Sequence, residues 1–144
     1  MELHVTFKGG TSEYALPASE VLHLDSYTGA TPVPGTPAYV AGLVQVRGRL
    51  VPVVDLRARF GLPPIEHSID RRVVVIQCEG RVAGLLVDSA REVVRLDPAS
   101  FEKPPDALDH GHGKFVRAIA AVKQRLLLLV DVPRVIGEEV GHAQ

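Results

Sequence analysis

The chain is poor in aromatic residues and contains no tryptophan. Phe, Trp and Tyr make up 5% of the 144 residues, whereas 46% of the residues are hydrophobic. A core must therefore be built mostly from valine, leucine, isoleucine and alanine, and the β-branched members of that set favour strands. Proteins that bind single-stranded nucleic acid need exposed aromatic rings beside a basic groove. The composition argues against a nucleic-acid partner.

The sequence also lacks an excess of charge of either sign. Sixteen Lys and Arg residues face seventeen Asp and Glu residues, so the formal net charge is -1. No overall field attracts nucleic acid or an anionic membrane, and partner recognition must be local. Cys78 is the only cysteine. A single cysteine excludes an intramolecular disulfide, and we interpret Cys78 as a small core residue of a strand.

Long apolar runs are missing as well. No run approaches the roughly 18 residues of a membrane span, and the opening residues MELHVTFKGG lack the charged-then-apolar pattern of a signal peptide. We expect a cytoplasmic protein without direct membrane insertion. A chain of 144 residues is long enough for one domain with a substantial core and too short for two ordinary domains.

No catalytic or metal-binding motif is present in the sequence. His110 and His112, in the segment HGHG, supply two ligands where a zinc site needs three or four. There is no glycine-flanked serine and no phosphate-binding loop. Asp55 and Asp131 could be imagined as a carboxylate pair, but each has a capping role that explains it. We predict no enzyme activity, no cofactor and no bound metal.

What the sequence does contain is a compact signal at 42–61. A strongly apolar run at 50–54 is followed by Asp55, and the segment closes at Gly61. A short valine-rich run predicts a buried strand. Asp55 can cap a short helix, and Gly61 can adopt the left-handed conformation that ends it.

The same pattern returns near the end of the chain. Aligned without gaps, RLVPVVDLRARFG (49–61) and RLLLLVDVPRVIG (125–137) are identical at five of thirteen positions, including the aspartate and the final glycine. Similar short segments precede both. These matches predict two copies of one supersecondary unit, at roughly 14–61 and 83–137.

Proline and glycine divide the remaining sequence into short apolar segments. The pattern predicts an all-β protein with accessory helices. We predict an irregular loop at 28–37, a short helical turn at 38–43, a long irregular segment at 97–113 and a terminal helix at 133–140. The predicted strands lie at 3–7, 14–16, 21–24, 50–54, 72–76, 82–87, 115–122 and 125–130.

The order of these motifs resembles that of the CheW adaptor family of bacterial chemosensory arrays. The resemblance covers nearly the whole chain. Its listed motifs begin at residue 33 and end at Asp131. The matching segments are VP (33–34), VAGL (40–43), QVRG (45–48), VPVVDLR (51–57), FG (60–61), GLLVD (84–88), EVV (92–94) and LLVD (128–131).

The resemblance implies a fold and a function. The fold would be all-β, with two side-by-side five-stranded SH3-like barrels in one CheW-like domain over 1–144. We expect the first barrel at approximately 12–78 and the second at approximately 1–10 plus 80–137. The function would be that of a non-catalytic adaptor coupling chemoreceptors, the methyl-accepting chemotaxis proteins, to the regulatory domain of a CheA-type histidine kinase.

The resemblance also implies two binding surfaces. A groove between the barrels would take the cytoplasmic tip of a receptor, and an outer face of the first barrel would take the kinase. The expected receptor-binding residues are Gln45, Arg47, Leu85 and Val87. The expected kinase-binding residues are Val21, His23 and Leu24.

Two positions depart from the family pattern, and one alternative function stays open. Gln45 stands where the family usually has asparagine, and His23 stands where a glutamate is common. The alternative function is a small β-barrel that binds a ligand or an oligonucleotide, as barrels of similar size do.

Overall fold

Ten β-strands and two short helices make up the molecule in our computed structural model, which describes residues 1–106 and 111–137. His110 and the predicted helical residues 138–140 lie outside that part. The helices are α1 (Leu56–Arg59) and α2 (Val132–Ile136). The strands are β1 (Glu2–Gly9), β2 (Ser12–Pro17), β3 (Val21–Ser26), β4 (Val40–Val46), β5 (Arg49–Asp55), β6 (Arg72–Cys78), β7 (Arg81–Val87), β8 (Ser89–Leu96), β9 (Val116–Val122) and β10 (Arg125–Val130).

The strands form two sheets of five. Sheet 1 has the order β3-β6-β7-β5-β4, and sheet 2 has the order β8-β1-β2-β10-β9. Each sheet contains three antiparallel pairs and one parallel pair, which is β5 with β7 in sheet 1 and β10 with β2 in sheet 2. The predicted all-β class with two five-stranded units is confirmed.

The two sheets are built from two consecutive copies of one unit that exchange their first hairpins. The first copy runs from β1 to α1 and the second from β6 to α2. In each copy the last three strands share a sheet, but the leading hairpin joins the sheet of the other copy. The predicted duplication is therefore correct, although each copy begins one strand before the predicted starts at 14 and 83. The exchange is a feature that the sequence pattern does not reveal.

The registers of the parallel pairs repeat between the copies. Val53 lies opposite Gly84 in sheet 1, and Leu129 lies opposite Ala15 in sheet 2. Leu129 follows Val53 by 76 positions, the shift that aligns the two thirteen-residue segments. Gly84 follows Ala15 by 69 positions, and the same shift relates the leading hairpins throughout. Each residue of one sheet thus has a defined equivalent in the other.

Both helices begin after an aspartate cap, as predicted, and a glycine with positive φ follows the end of each. The Asp55 carboxylate accepts a hydrogen bond from the Arg57 N–H at 3.0 Å, and the Asp131 carboxylate accepts one from the Arg134 N–H at 3.2 Å. Gly61 and Gly137 have φ angles of 73° and 72°. In α2 this glycine ends the helix at Ile136, four residues before the predicted end.

Two predictions about the chain path were wrong. The barrel boundaries 12–78 and 1–10 plus 80–137 place β2 with sheet 1 and β7 with sheet 2, whereas each pairs in the opposite sheet. Strands joined by a tight turn pair with each other, and Glu79 and Gly80 both have the positive φ of such a turn. The predicted helical turn at 38–43 is instead the start of β4, which begins at Val40.

The buried residues form three clusters. One belongs to sheet 1, one to sheet 2, and the largest lies between the sheets and takes side chains from both. We call the largest the shared core. Its buried members are Phe7, Tyr14, Leu16, Val54, Leu56, Phe60, Val74, Ile76, Ala83, Leu85, Val87, Phe115, Val130, Val132, Val135 and Ile136.

An ion pair holds α1 at the point where the chain crosses from sheet 1 to sheet 2. Arg57 Nε and Nη2 donate to the two carboxylate oxygens of Asp88, each at 2.8 Å, and the Gly10 N–H donates to Oδ2 at 2.7 Å. The side chains of Arg57 and Asp88 are only 14% and 17% exposed. Burial opposes ionisation of Asp88, but the hydrogen bonds and the charge of Arg57 outweigh it and lower its pKa.

The loop between β3 and β4 is fixed to β4 by backbone contacts. Thr31 and Leu43 exchange two backbone hydrogen bonds of 2.9 and 2.8 Å. This approach requires glycine at position 42, where φ is 142° and a Cβ atom would lie 2.1 Å from the Thr31 carbonyl oxygen. The glycine therefore fixes one wall of the site described below.

The lowered pKa of Asp88 predicts a pH dependence of stability. Its ionisation stabilises the folded state above the ordinary carboxyl pKa of about 4 and stops doing so as the pH falls through the lower folded-state value. We expect Asp88→Asn to reduce the unfolding free energy at pH 7 by about 1 to 3 kcal/mol and to flatten its dependence on acidic pH. Urea unfolding at a series of pH values measures both effects. Asp70→Asn, at an exposed position, is the control, and equal losses in the two variants would contradict this role of Asp88.

Gly42 provides a second test of the fold. Alanine at position 42 meets both a positive φ and a backbone clash, whereas alanine at position 48 meets a positive φ of 79° in open space. We expect Gly42→Ala to lower the unfolding free energy by about 3 kcal/mol or more and Gly48→Ala by about 1 kcal/mol. Thermal or urea denaturation followed by circular dichroism measures the two losses of unfolding free energy. Similar losses at both positions would show that the Thr31 contact is not fixed.

Candidate protein-binding site

A cleft opens where the outer strands β3 and β4 of sheet 1 face each other. We call it the β3–β4 cleft. Its volume is about 440 Å³, and its walls are the end of β3 with the following loop on one side and β4 with its turn on the other. The lining residues are Asp25, Ser26, Tyr27, Thr28, Gly29, Thr31, Leu43, Val44, Gln45, Val46, Arg47 and Val73.

Two of the predicted receptor-binding residues lie together at this cleft. Gln45 is exposed near the end of β4, and Arg47 is exposed in the two-residue turn to β5, with a φ of 52°. Within residues 1–106 and 111–137, no carboxylate lies within 4.0 Å of the Arg47 guanidinium. Leu50, opposite Gln45 on β5, is 67% exposed. The turn thus presents a cation, an amide and an apolar side chain to a partner.

The other two predicted receptor-binding residues are not available for contact. Leu85 and Val87 are both 0% exposed and belong to the shared core. The reason is their strand, because β7 lies at the centre of sheet 1 between β6 and β5 and is covered by side chains on both faces. The prediction that these residues form the second edge of a binding groove was wrong.

The predicted kinase-binding residues on β3 point in two directions. The side chains alternate, so that Val21 and His23 are half-buried and Val21 packs against the shared core. Leu24 is 43% exposed, and Leu22, which the sequence analysis omitted, is 38% exposed. The outward face of β3 is therefore formed by Leu22 and Leu24, a pair that the alternation of an outer strand could have indicated.

Asp25 is a residue of the cleft that sequence reasoning also missed. It lies opposite Val73 of β6 and, like His23 opposite Val75, is half-buried on the face of β3 that is directed toward the sheet 1 cluster. Its Oδ2 atom is buried and has no hydrogen-bond partner within the described chain. The signal that could have identified it is an acidic residue at an inward position of an alternating strand.

A second cavity, of about 530 Å³, lies beside α2, and four of its eight lining residues are basic. Among them, Arg59 has an evident structural role. Its guanidinium lies 3.8 Å from the centre of the Tyr39 ring and donates to the carbonyl oxygens of Val135 and Arg134, each at 2.8 Å. These contacts satisfy carbonyls at the end of α2 and connect the two copies.

The described residues contain no group of three or more His, Cys, Asp or Glu residues that could hold a metal ion. Cys78 is half-buried against the shared core, and burial raises the pKa of its thiol, which disfavours the reactive thiolate. None of the helices described here is long and apolar enough to cross a membrane.

Comparisons with known proteins identify the family of the chain. A family model described as the CheW-like domain matches residues 3–140. The chemotaxis protein CheW of Rhizobium meliloti is 31% identical over 139 residues, which cover 96% of this chain and 90% of that protein. The chemotaxis protein CheW of Bacillus subtilis is 28% identical over 142 residues, which cover 99% of this chain and 91% of that protein.

A solved structure shows the same fold. The crystal structure of the scaffolding protein TtCheW from Thermoanaerobacter tengcongensis superposes with a TM-score of 0.87 at 28% identity, covering 96% of this chain and 94% of that one. The resemblance inferred from the motifs is confirmed. The chain belongs to the CheW-like domain family, whose members are non-catalytic scaffold or adaptor proteins.

Proposed function

We propose that this chain is a signalling adaptor that couples chemoreceptors to a CheA-type histidine kinase in a bacterial chemosensory array. Relatives over nearly the full length are chemotaxis proteins, and the structural relative is a scaffolding protein. An adaptor acts by binding, so its surface rather than a catalytic centre must carry the function. The array is then its place of action in the cytoplasm.

The observation that carries the proposal is the exposed turn with Arg47 and Gln45 beside the β3–β4 cleft. A guanidinium on a flexible stem can lie across an apolar surface and still bind a carboxylate with two parallel hydrogen bonds. We assign this turn and the exposed Leu50 next to it to the receptor tip. An amphipathic receptor helix supplies both the apolar stripe and the acceptors that such a surface needs.

The outward face of β3 is assigned to the regulatory domain of the kinase. Leu22 and Leu24 expose apolar side chains on an outer strand, whose free backbone edge can also pair with another strand. Apolar side chains on a rigid strand are suitable anchors for a protein interface. Because β3 and β4 both border the cleft, the two surfaces are neighbours rather than opposite faces of the molecule.

A ligand- or oligonucleotide-binding barrel is less consistent with the structure. Phe7, Phe60 and Phe115 are buried and so cannot serve as stacking platforms for bases. The formal net charge of -1 gives no basic surface overall. The exposed Arg47 cation and the exposed pair Leu22 and Leu24 on β3 suit a protein partner better than a nucleic acid or a small ligand.

The proposal predicts that the two surfaces are separable by mutation. We expect Arg47→Glu to weaken binding of the receptor fragment by about 1 to 3 kcal/mol, because it replaces a central cation by an anion, and to leave kinase binding nearly unchanged. Leu24→Asp should have the reverse effect, because it places a charge among apolar contacts. Titration calorimetry with the cytoplasmic fragment of the cognate receptor and with the regulatory domain of the cognate kinase measures each affinity.

The second copy of the repeat provides matched controls. Lys123 occupies the equivalent turn, with a φ of 47°, and Val93 lies opposite Val5 where Leu24 lies opposite Val74. Lys123→Glu and Val93→Asp make the same chemical changes in the other sheet and should leave the corresponding affinities within about twofold. If either test variant abolishes both interactions while remaining folded, or if a control matches its test variant, the assignment of surfaces is wrong.

A further inference from the structure

We infer that Asp25 is a recognition residue, whose carboxylate receives a lysine or arginine side chain that a protein partner inserts into the β3–β4 cleft. The inference rests on the proposed function in one respect, namely that the ligand of this chain is another protein. It goes further because it assigns Asp25 of the cleft to the recognition of charge and names a basic side chain, lysine or arginine, as its ligand.

The first reason is the state of the carboxylate. The Oδ2 atom of Asp25 is buried and accepts no hydrogen bond from the described residues. A buried polar atom without a partner is destabilising, and nearly all such atoms in folded proteins are satisfied by protein or by water. An acid that is kept on the inward face of a strand at this cost calls for a role outside the folding of the chain.

The second reason comes from the other copy of the repeat. The equivalent of Asp25 is Val94, which lies opposite His4 just as Asp25 lies opposite Val73. Val94 is half-buried and packs against the aliphatic cluster of sheet 2. The same architecture thus accepts an apolar side chain at this position, and the acid is not a requirement of the fold.

The third reason is that neighbouring cations do not neutralise the acid. Arg47 lines the same cleft, but no ion pair within 4.0 Å joins it to Asp25. The Arg71 guanidinium lies 5.7 Å from the centre of the Tyr27 ring and 3.9 Å from Asp55. The cleft has room for a long side chain beside the free carboxylate, and a cation complements that carboxylate best.

Arg47 also restricts the sequence of the partner. Because Arg47 borders the same cleft, a basic side chain entering alone meets a like charge. A segment that carries an acidic side chain or a free backbone carbonyl next to its basic residue satisfies Asp25 and Arg47 together. The cleft therefore selects a basic residue with an adjacent acceptor.

The experiment uses blocked arginine as a probe of the cleft. N-acetyl-arginine amide is titrated into isotopically labelled protein, and N-acetyl-citrulline amide, which has the same shape without the charge, is its control. We expect saturable amide shifts at 25–29 and 45–47 with arginine, at least tenfold weaker binding of citrulline, and loss of the arginine response in Asp25→Val. Asp70→Asn, at an exposed acid, should keep the response.

The stability of the variant gives an independent readout. Asp25→Val should melt at the same or a higher temperature than the unaltered protein, because it removes an unsatisfied acid and copies the residue of the other repeat. A clear loss of stability would assign Asp25 a structural role and overturn the inference. Absence of arginine shifts, equal shifts with citrulline, or shifts that persist in Asp25→Val would also overturn it.

Partner binding completes the test. Asp25→Val should lower the affinity for the receptor fragment or for the kinase domain at least tenfold, and Asp70→Asn should lower neither. Unchanged affinity for both partners would reject the partner's side chain as the occupant even if arginine binds. The probe experiment requires neither partner, so failure of the adaptor proposal and failure of this inference give different results.

Discussion

The parallel pairing of β5 with β7 and of β10 with β2 joins the two copies of the repeat, because each pair takes one strand from each copy. The antiparallel pairs of β3 with β6 and of β1 with β8 join the copies in the same way. Without the exchanged hairpins, the last three strands of each copy would lack two strands of their sheet. The exchanged hairpins also bring Phe7, Leu16 and Leu85 into the shared core, so the core exists only when both copies are in place. Pairing and burial therefore depend on each other.

This constraint also locates the surfaces that are free to change. Strand β7 is covered on both faces, whereas exposed apolar side chains lie on the outer strand β3 and beside the turn that precedes β5. Equivalent positions of the two copies then show where the residues are not dictated by the fold. Sheet 1 has Arg47 and Asp25 where sheet 2 has Lys123 and Val94. The two copies differ more at Asp25 than at Arg47, because Val94 is apolar whereas Lys123 is also a cation.

Local signals in the sequence were sufficient to predict most of the fold. Asp55 and Asp131 cap helices, and Gly61 and Gly137 adopt the left-handed conformation, because these roles depend on near neighbours in the chain. The duplication was visible for the same reason.

Apart from the start of β4 and the end of α2, the errors concern long-range pairing. An apolar run does not reveal which sheet it joins, so β2 and β7 were assigned to the wrong barrels. Nor does it reveal whether a strand is central, so Leu85 and Val87 were expected at a surface and are buried. The exposed Leu22 and the inward Asp25 follow from the orientation of β3, which is set by its pairing with β6.

Amide hydrogen exchange tests the exchange of hairpins most directly. If each sheet requires both copies, the slowest amides of β2 and β7 must exchange only through complete unfolding. Their opening free energies should equal one another and the unfolding free energy measured in denaturant. If the amides of one sheet opened at a clearly lower free energy while those of the other stayed protected, the sheets would be independent, and mutual completion of the two copies would be contradicted.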